Sequence, residues 1–391
     1  MWWGVFLVKI CFISCYPPTR GRLSEYAFNL LRELEKFSGI EKIYVLSNTS
    51  SDQENSKAKT VILETWNPNK PFSLFKILSK IISIKPDIVH FNIHMAVFGR
   101  SRVANLFGLC LPFISKLFGF KTVTTLHNIL GKIDFEKTGY NNSLLNRIGA
   151  LFVTKLLSTS SVVTLTIQSH VEFFKSRYKT HNVKRIPHGT WENNNHDGNN
   201  NQRKSKDMIR KILYFGHSGP YKDIDLLFKS FEILNQRIEN LQLMIAGTSH
   251  PNYPGYLENY RNDNHLEQIL FKGYIPEANL PNLFQEAEVV ILPYHTCTGT
   301  SGVAHLASSF GVPIVATDLP EFRALIEEGC GIKLSQHNTQ DFAKTIEEIL
   351  TNCDLAKQLE TKNLNFAKNR TWNNIARSFY EIYKELLIEK K

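Results

Sequence analysis

The sequence predicts an α/β protein of two domains, each a doubly wound parallel sheet, and three observations carry that prediction. Short apolar, β-branched runs alternate with amphipathic stretches at helical spacing along the chain. A length of 391 residues is enough for two domains of ordinary size, each with its own core. Near the middle, residues 190–207 switch to Trp-Glu-Asn-Asn-Asn-His-Asp-Gly-Asn-Asn-Asn-Gln, a composition that cannot build a core.

Taken in order, Lys9–Ser14 is a strand closed by Tyr16-Pro17-Pro18, and Glu25–Phe37 carries Tyr26, Leu30, Leu31 and Leu34 at helical spacing, with Gly21 in the turn between them. Further strands are predicted at Ile43–Leu46, Asp87–Phe91, Lys121–His127, Val162–Thr166 and Val183–Pro187. The domain boundary is placed at the Asn-rich stretch: residues 1–189 form the first domain, 190–207 a linker or surface loop, and 208–371 the second domain. In the second domain the alternation resumes with strands at Lys211–Phe215, Leu241–Ala246, Ile269–Phe271 and Val289–Leu292, and helices at Asp225–Leu234 and Leu280–Ala287. The tail from Thr371 to Leu387 is amphipathic, with Trp372, Phe379, Tyr380 and Tyr383, and is long enough to pack across both domains.

The formal charge of +10 is uneven: residues 1–190 sum to +14 and residues 191–391 to −4. A basic first domain suits an anionic membrane surface, and the apolar-basic segments Phe72–Lys80 and Leu106–Lys121 are its candidates. No basic-aromatic cluster of a nucleic-acid module is present, so no nucleic-acid partner is expected. Six cysteines without CxxC spacing point to a reduced compartment, and Met1–Val8 is too short an apolar run to span a bilayer. The expected location is cytoplasmic, peripheral to the inner face of the cell membrane.

Two loops of the second domain have the chemistry of anion sites. After the run Val289–Leu292 comes Pro293, then Thr296 to Gly302, then about two helical turns to Phe310, where Gly311 ends them before the strand Ile314–Ala316. Such a turn leaves backbone N–H groups at a helix N-terminus, where the dipole is positive and a phosphate is stabilised. Phe215-Gly216-His217-Ser218-Gly219-Pro220-Tyr221-Lys222 also follows a strand and adds a cation. In the first domain, His127 ends a strand where a parallel sheet delivers it to the ligand edge; His90, His94 and His188 are weaker candidates of the same kind. Asp223-Ile224-Asp225 has the DxD form of some metal sites, but capping of the following helix is the cheaper account. No metal ligand is therefore predicted.

These residues together resemble the family 4 retaining glycosyltransferases of GT-B fold, with two Rossmann-like domains facing a central cleft and a C-terminal helix, 372–391, crossing back to the first. The resemblance rests on Tyr16-Pro17-Pro18 with Gly21, Lys85-Pro86-Asp87-Ile88-Val89-His90, Thr124-Thr125-Leu126-His127, Ile186-Pro187-His188-Gly189, Leu213-Tyr214-Phe215-Gly216 with Tyr221-Lys222, Ile245-Ala246-Gly247, Gly273-Tyr274-Ile275-Pro276, Leu292-Pro293-Tyr294, Ser301-Gly302-Val303, Gly311-Val312-Pro313-Ile314-Val315-Ala316, and Trp372 in the last helix. It implies a sugar moved from a nucleotide-diphosphate donor to a saccharide or lipid-linked acceptor, with the donor as co-substrate and neither cofactor nor metal. It also implies that Gly21 lets the first loop approach the diphosphate and that His127 lies beside the transferred sugar. Lys222, in the loop of Gly216 and His217, would bind the diphosphate, while Gly247 and the segment with Tyr274 and Ile275 would run beside the nucleotide. Thr300, Ser301, Gly302 and Val303 would give the helix-N-terminal contacts, with His305 one position from a usual glutamate.

Four departures stand out against the family pattern. Two glutamates usual in the second-domain turn are replaced by Thr298 and Leu306. His217 stands where a basic residue is common beside the loop glycine, and Gly219 where some relatives have Arg. Asp223 replaces the glycine often following the lysine, and Arg22 the second glycine of the first loop, where Arg22 or Arg20 would supply charge. The missing glutamates leave a second reading, a catalytically weak GT-B protein acting as a membrane-associated assembly partner. A nucleotide-sugar epimerase of the same fold is a third, opposed by the order of the motifs.

Overall fold

The structure, a computed structural model, describes residues 7–19, 21–48, 59–68, 70–94, 97–99, 101–129, 143–191, 209–263 and 266–388. The start of the apolar lead, Arg20 and all but the first two residues of the Asn-rich stretch lie outside them. Two compact units are present, the first running to Gly189 and taking in Trp372 onward, the second from Thr190 to Thr371.

In the first unit the order is β1 (Val8–Ile13), α1 (Arg22–Leu34), β2 (Ile40–Ser47), β3 (Thr60–Glu64), α2 (Phe75–Ile84), β4 (Ile88–Ile93), α3 (Arg102–Leu117), β5 (Lys121–Leu126), α4 (Leu144–Leu157), β6 (Val162–Leu165), α5 (Gln168–Tyr178) and β7 (Val183–Arg185). All seven strands are parallel, in the order β3-β2-β1-β4-β5-β6-β7. The central strands are buried along almost their whole length, as a sheet covered on both faces requires. The sequence reading missed β3: as an edge strand it is only half buried, so it lacks the apolar signature of the inner strands.

The second unit runs β8 (Arg210–Phe215), α6 (Ile224–Asn235), β9 (Leu241–Ala246), α7 (Tyr256–Asp263), β10 (Ile269–Gly273), α8 (Leu280–Gln285), β11 (Val289–Leu292), α9 (Gly302–Ser309), β12 (Ile314–Thr317), α10 (Pro320–Glu327), β13 (Ile332–Ser335), α11 (Thr339–Thr351) and α12 (Cys353–Lys368). Its six parallel strands are ordered β10-β9-β8-β11-β12-β13. The short edge strand β13 was also missed, its four residues being too few to display a period. Several helices start at a short polar residue whose side chain accepts a backbone N–H: Ser101 for α3, Ser143 for α4, Asp223 for α6, Ser301 for α9, Asn338 for α11 and Asn352 for α12.

The last helix, α13 (Trp372–Ile388), packs on α1 of the first unit, stacking Tyr380 on Phe37 at 5.0 Å and setting Trp372 edge-on to Tyr26 at 5.0 Å. His90 explains why this helix docks where it does. Its Nδ1 lies 2.6 Å from the Tyr383 hydroxyl and its Nε2 2.7 Å from Thr125 Oγ1, which in turn meets Thr164 Oγ1 at 2.8 Å. A weak site candidate in the sequence, His90 is a core tie with no exposed surface.

Burial holds the His90 imidazole down to a pKa of about 3 from an ordinary 6.5. The unfolded chain therefore takes up this proton first, so the contribution of His90 is fully present above pH 6.5 and is lost as pH falls from there toward 3. Lowering pH from 7 to 5 is expected to cost about 2 kcal/mol through His90 alone. Urea unfolding at both values should show that loss in the wild type and a loss smaller by this amount in His90→Gln; equal losses would rule out His90 as the titrating group.

Candidate functional site

In open parallel sheets, ligands sit beyond the carboxyl ends of the strands where the strand order reverses direction. That point falls between β1 and β4 in the first unit and between β8 and β11 in the second.

At the first of these, Asn92 of β4 donates from Nδ2 to Ser14 Oγ at 3.0 Å and to the Leu23 carbonyl at 3.4 Å. This fixes the amide so that its Oδ1 accepts from His127 Nε2 at 2.6 Å. The His127 ring therefore carries its proton on Nε2 and leaves Nδ1 as an acceptor for a hydroxyl. Burial first, and then the neighbouring His188, His94 and His90, push its pKa down to about 3, so it is neutral at physiological pH. Tyr26 stands edge-on to His127 at 4.6 Å and to His188 at 5.5 Å. The His188 Nδ1 donates to the Gly189 carbonyl at 2.7 Å, and burial lowers its pKa to about 4. Asn92 and Tyr26 were not among the predicted site residues, because an Asn inside an apolar strand and a Tyr on a helix face carry no local signal of a His distant in the sequence.

Gly21 caps α1 at φ 132° and ψ 161°, a region open essentially to glycine, and a Cβ there would meet nothing within 4 Å. A side-chain atom at this position would therefore meet open space among the described residues. The exposed Arg22 opens the helix against the sense of its dipole, a position where an anion is favoured over a cation.

In the second unit the loops after β8 and β11 are sewn together. Lys222 bridges Tyr294 in antiparallel fashion, with Asp223 N–H donating to the Pro293 carbonyl at 2.6 Å and His295 N–H to the Tyr221 carbonyl at 2.9 Å. The Lys222 side chain is wholly buried: Nζ donates to the Phe215 carbonyl at 3.1 Å and lies 4.8 Å and 5.2 Å from the ring centroids of Tyr214 and Tyr294. Sequence reasoning placed the lysine in the loop after β8 but could not tell that its head lies under the loop, between two aromatic faces.

Three glycines line the strand ends beside it. Gly216 N–H donates to the Ala246 carbonyl at 2.8 Å, and Gly247 N–H to the Gly273 carbonyl at 2.7 Å. Gly247 has φ 137°, and a Cβ on it would lie 2.1 Å from the Gly216 oxygen, so the two backbones pass in contact. His217 follows Gly216, its Nδ1 3.4 Å from Thr248 Oγ1, and its carbonyl accepts from the Tyr221 hydroxyl at 3.0 Å. Past Gly273, Tyr274 is half exposed and Ile275 packs into the core.

Across the switch point, Ser301 caps α9 by accepting the Ala304 N–H at 3.3 Å, and Gly302 and Val303 form the first turn. The Thr300 hydroxyl is buried without a hydrogen-bond partner among the described residues, a state that costs about 1–3 kcal/mol and suits a group awaiting a ligand oxygen. His305 is buried, donates from Nδ1 to the Ser301 carbonyl at 2.9 Å and leans on Phe366 at 5.4 Å. It braces the turn from behind. Leu306 packs into the core where the family pattern has a glutamate, and Thr298 is half-buried. Asp223 caps α6, accepting the Leu226 N–H at 2.8 Å, so the capping account of Asp223-Ile224-Asp225 matches the geometry.

Comparison with known proteins bears on this arrangement. An uncharacterized glycosyltransferase of Haemophilus influenzae is 25% identical over 245 residues, which take in 61% of this chain and 64% of that protein. The lipopolysaccharide 1,2-N-acetylglucosaminetransferase of Salmonella typhimurium is 23% identical over 67% of this chain and 72% of its own. Among solved structures, Anabaena Alr3699/HepE in complex with UDP-glucose superposes with a TM-score of 0.72 at 15% identity, covering 97% of this chain and 100% of that one. Likeness at that identity establishes the fold, two Rossmann-like domains of the GT-B kind. Residues 209–352, which hold the paired loops and the α9 turn, are matched by the family described as Glycosyl transferases group 1.

Proposed function

We propose that the chain is a glycosyltransferase that moves a sugar from a nucleotide-diphosphate donor to a saccharide or lipid-linked acceptor. One observation carries the reading: at the switch point of the second sheet, the Lys222–Tyr294 bridge joins the glycine loop after β8 to the loop leading into α9, whose first turn and orphaned Thr300 hydroxyl suit a phosphate. Breaking a sugar–phosphate bond leaves negative charge on the diphosphate. A lysine in a low-dielectric setting and a helix N-terminus stabilise that charge more than the same groups in water would.

In this reading Gly216 and His217 border the diphosphate on one side, with the Lys222 charge beneath their loop, and Thr300 to Val303 on the other, while Gly247, Tyr274 and Ile275 border the nucleotide. His305 positions the turn, and Gly21 with His127 serves the sugar, the latter through its Nδ1 acceptor. Transfer proceeds with retention and without metal in the chemical step, as in the family the sequence resembles. Thermal-shift measurement against UDP-, GDP- and ADP-sugars tests the donor class. A midpoint raised by one of them is expected by mass action, and no shift with any would overturn the assignment.

We propose that the acceptor is a molecule at a membrane surface. The first unit exposes Phe72, Leu117, Phe118, Leu144, Leu145 and Phe152 on or beside α2, α3 and α4, which pack side by side. An exposed apolar area of this kind marks an interaction face. The charged residues of 70–85, 102–121 and 143–157 are Lys70, Lys76, Lys80, Lys85, Arg102, Lys116, Lys121, Arg147 and Lys155, with no Asp or Glu among them. Among the described residues no helix is long and apolar enough to cross a membrane, and the association proposed is interfacial, on the strength of the exposed apolar and basic side chains. The protein is expected to bind vesicles containing anionic lipid and to leave them as salt is raised; equal binding to neutral vesicles would remove the electrostatic part.

A further inference from the structure

Asp223, His295 and His337 are far apart in the sequence, yet three loops of the second unit bring them to one point. Asp223 precedes α6, His295 follows β11 and His337 precedes α11. The His337 Nε2 lies 2.7 Å from Asp223 Oδ2, and the His295 Nε2 lies 3.4 Å from the same oxygen. The two imidazoles stack, with centroids 4.7 Å apart and planes 24° from parallel. One ligand atom from each residue falls within 4.8 Å of the other two.

Two of the three arms, Asp223 and His295, are anchored by their backbone or a second polar atom. Asp223 Oδ1 accepts the Leu226 N–H at 2.8 Å, which turns Oδ2 outward, and its own N–H is held by Pro293. The His295 N–H is held by the Tyr221 carbonyl. Hydrogen bonding to Asp223 accounts for the place of His337, but it does not call for a second imidazole stacked on the first and aimed at the same oxygen.

We propose that Asp223, His295 and His337 form a binding site for a divalent transition-metal cation, with zinc as the ion that best fits the donor set. Zinc takes imidazole nitrogen at about 2.0–2.1 Å and carboxylate oxygen at about 2.0–2.2 Å, so tetrahedral ligands stand about 3.3 Å apart. The observed separations of 2.7 and 3.4 Å bracket that value. Two nitrogens and one oxygen leave a fourth position for water, and with side chains 16–43% exposed an ion has a direct route from solvent. Bound there, it staples the loops after β8, β11 and β13. Asp223 and His295 directly follow Lys222 and Tyr294, so the staple braces the bridge beside the lysine without entering the lysine's own surroundings. The site does not depend on the glycosyltransferase reading.

The test is a titration of the full chain, stripped with chelator, with zinc chloride by calorimetry, beside the double variant His295→Ala/His337→Ala. The wild type is expected to bind one more zinc ion than the double variant and to show a zinc-dependent rise in thermal midpoint that the variant lacks. Asp223→Asn, which keeps a capping oxygen for α6 but loses the charge, should bind at least about tenfold more weakly. Cobalt(II) gives a second readout, with visible bands of a tetrahedral nitrogen-oxygen site in the wild type only. Equal zinc stoichiometry in the wild type and the double variant would overturn the site, as would full affinity in Asp223→Asn.

Discussion

Replacing Lys222 by Met is expected to lower the turnover number for sugar transfer by about a hundred- to a thousandfold, the usual cost of removing one preorganised donor of charge stabilisation. The fold should survive the change. The lysine head lies between the faces of Tyr214 and Tyr294 with no surface exposed, and a methionine of similar length fills that space and favours aromatic contact. Exchanging a buried charge for an apolar group of like volume is often neutral or stabilising. Chemical denaturation and single-turnover kinetics on the donor found by thermal shift separate the two effects. Undiminished transfer in a folded Lys222→Met protein would remove the lysine from the mechanism, whereas joint loss of stability and transfer would make its role structural.

Gly247→Ala should be more damaging to the fold, with a loss of at least about 3 kcal/mol of stability. Two costs combine there. The backbone at φ 137° is one that a Cβ disfavours, and the new methyl would sit 2.1 Å from the Gly216 oxygen, where backbone rather than a flexible side-chain end has to give way. Since Gly216 leads directly into His217 and the loop of Lys222, the displacement reaches the phosphate loop. Gly21→Ala is the comparison. At φ 132° it carries the backbone cost, about 1–3 kcal/mol, but its Cβ meets nothing within 4 Å. Urea unfolding of both variants should rank Gly247→Ala well below Gly21→Ala; the reverse order would mean that the contact between Gly247 and Gly216 is not what fixes this loop.

Much of this architecture is written locally. Strand-forming runs such as Leu241–Ala246 and Lys121–Leu126, the glycine loop after β8 and the small polar turn before α9 are all legible, because burial on two faces, φ beyond the reach of side chains and helix capping act within a few residues. The same locality makes edge strands faint, and it gives a histidine at a strand end the same appearance whether it faces a ligand or a core. His90 and His127 illustrate the limit. They end or cross neighbouring strands, yet one is locked between Tyr383 and Thr125 while the other keeps a free-standing acceptor beside Asn92.

By itself, the sequence determined the two α/β units, the loops that carry Lys222 and Thr300, and the helical tail whose aromatic face seeks a partner. Only the tertiary structure decided which strand lies beside which, and therefore where each sheet reverses its order. That placement joins Ser14 to Asn92 and His127, buries the head of Lys222 between two tyrosines, turns His305 inward, and gathers Asp223, His295 and His337 from three loops. The physical reason is the parallel sheet, which carries every strand in one direction and so delivers residues 35 to 114 positions apart to a common edge.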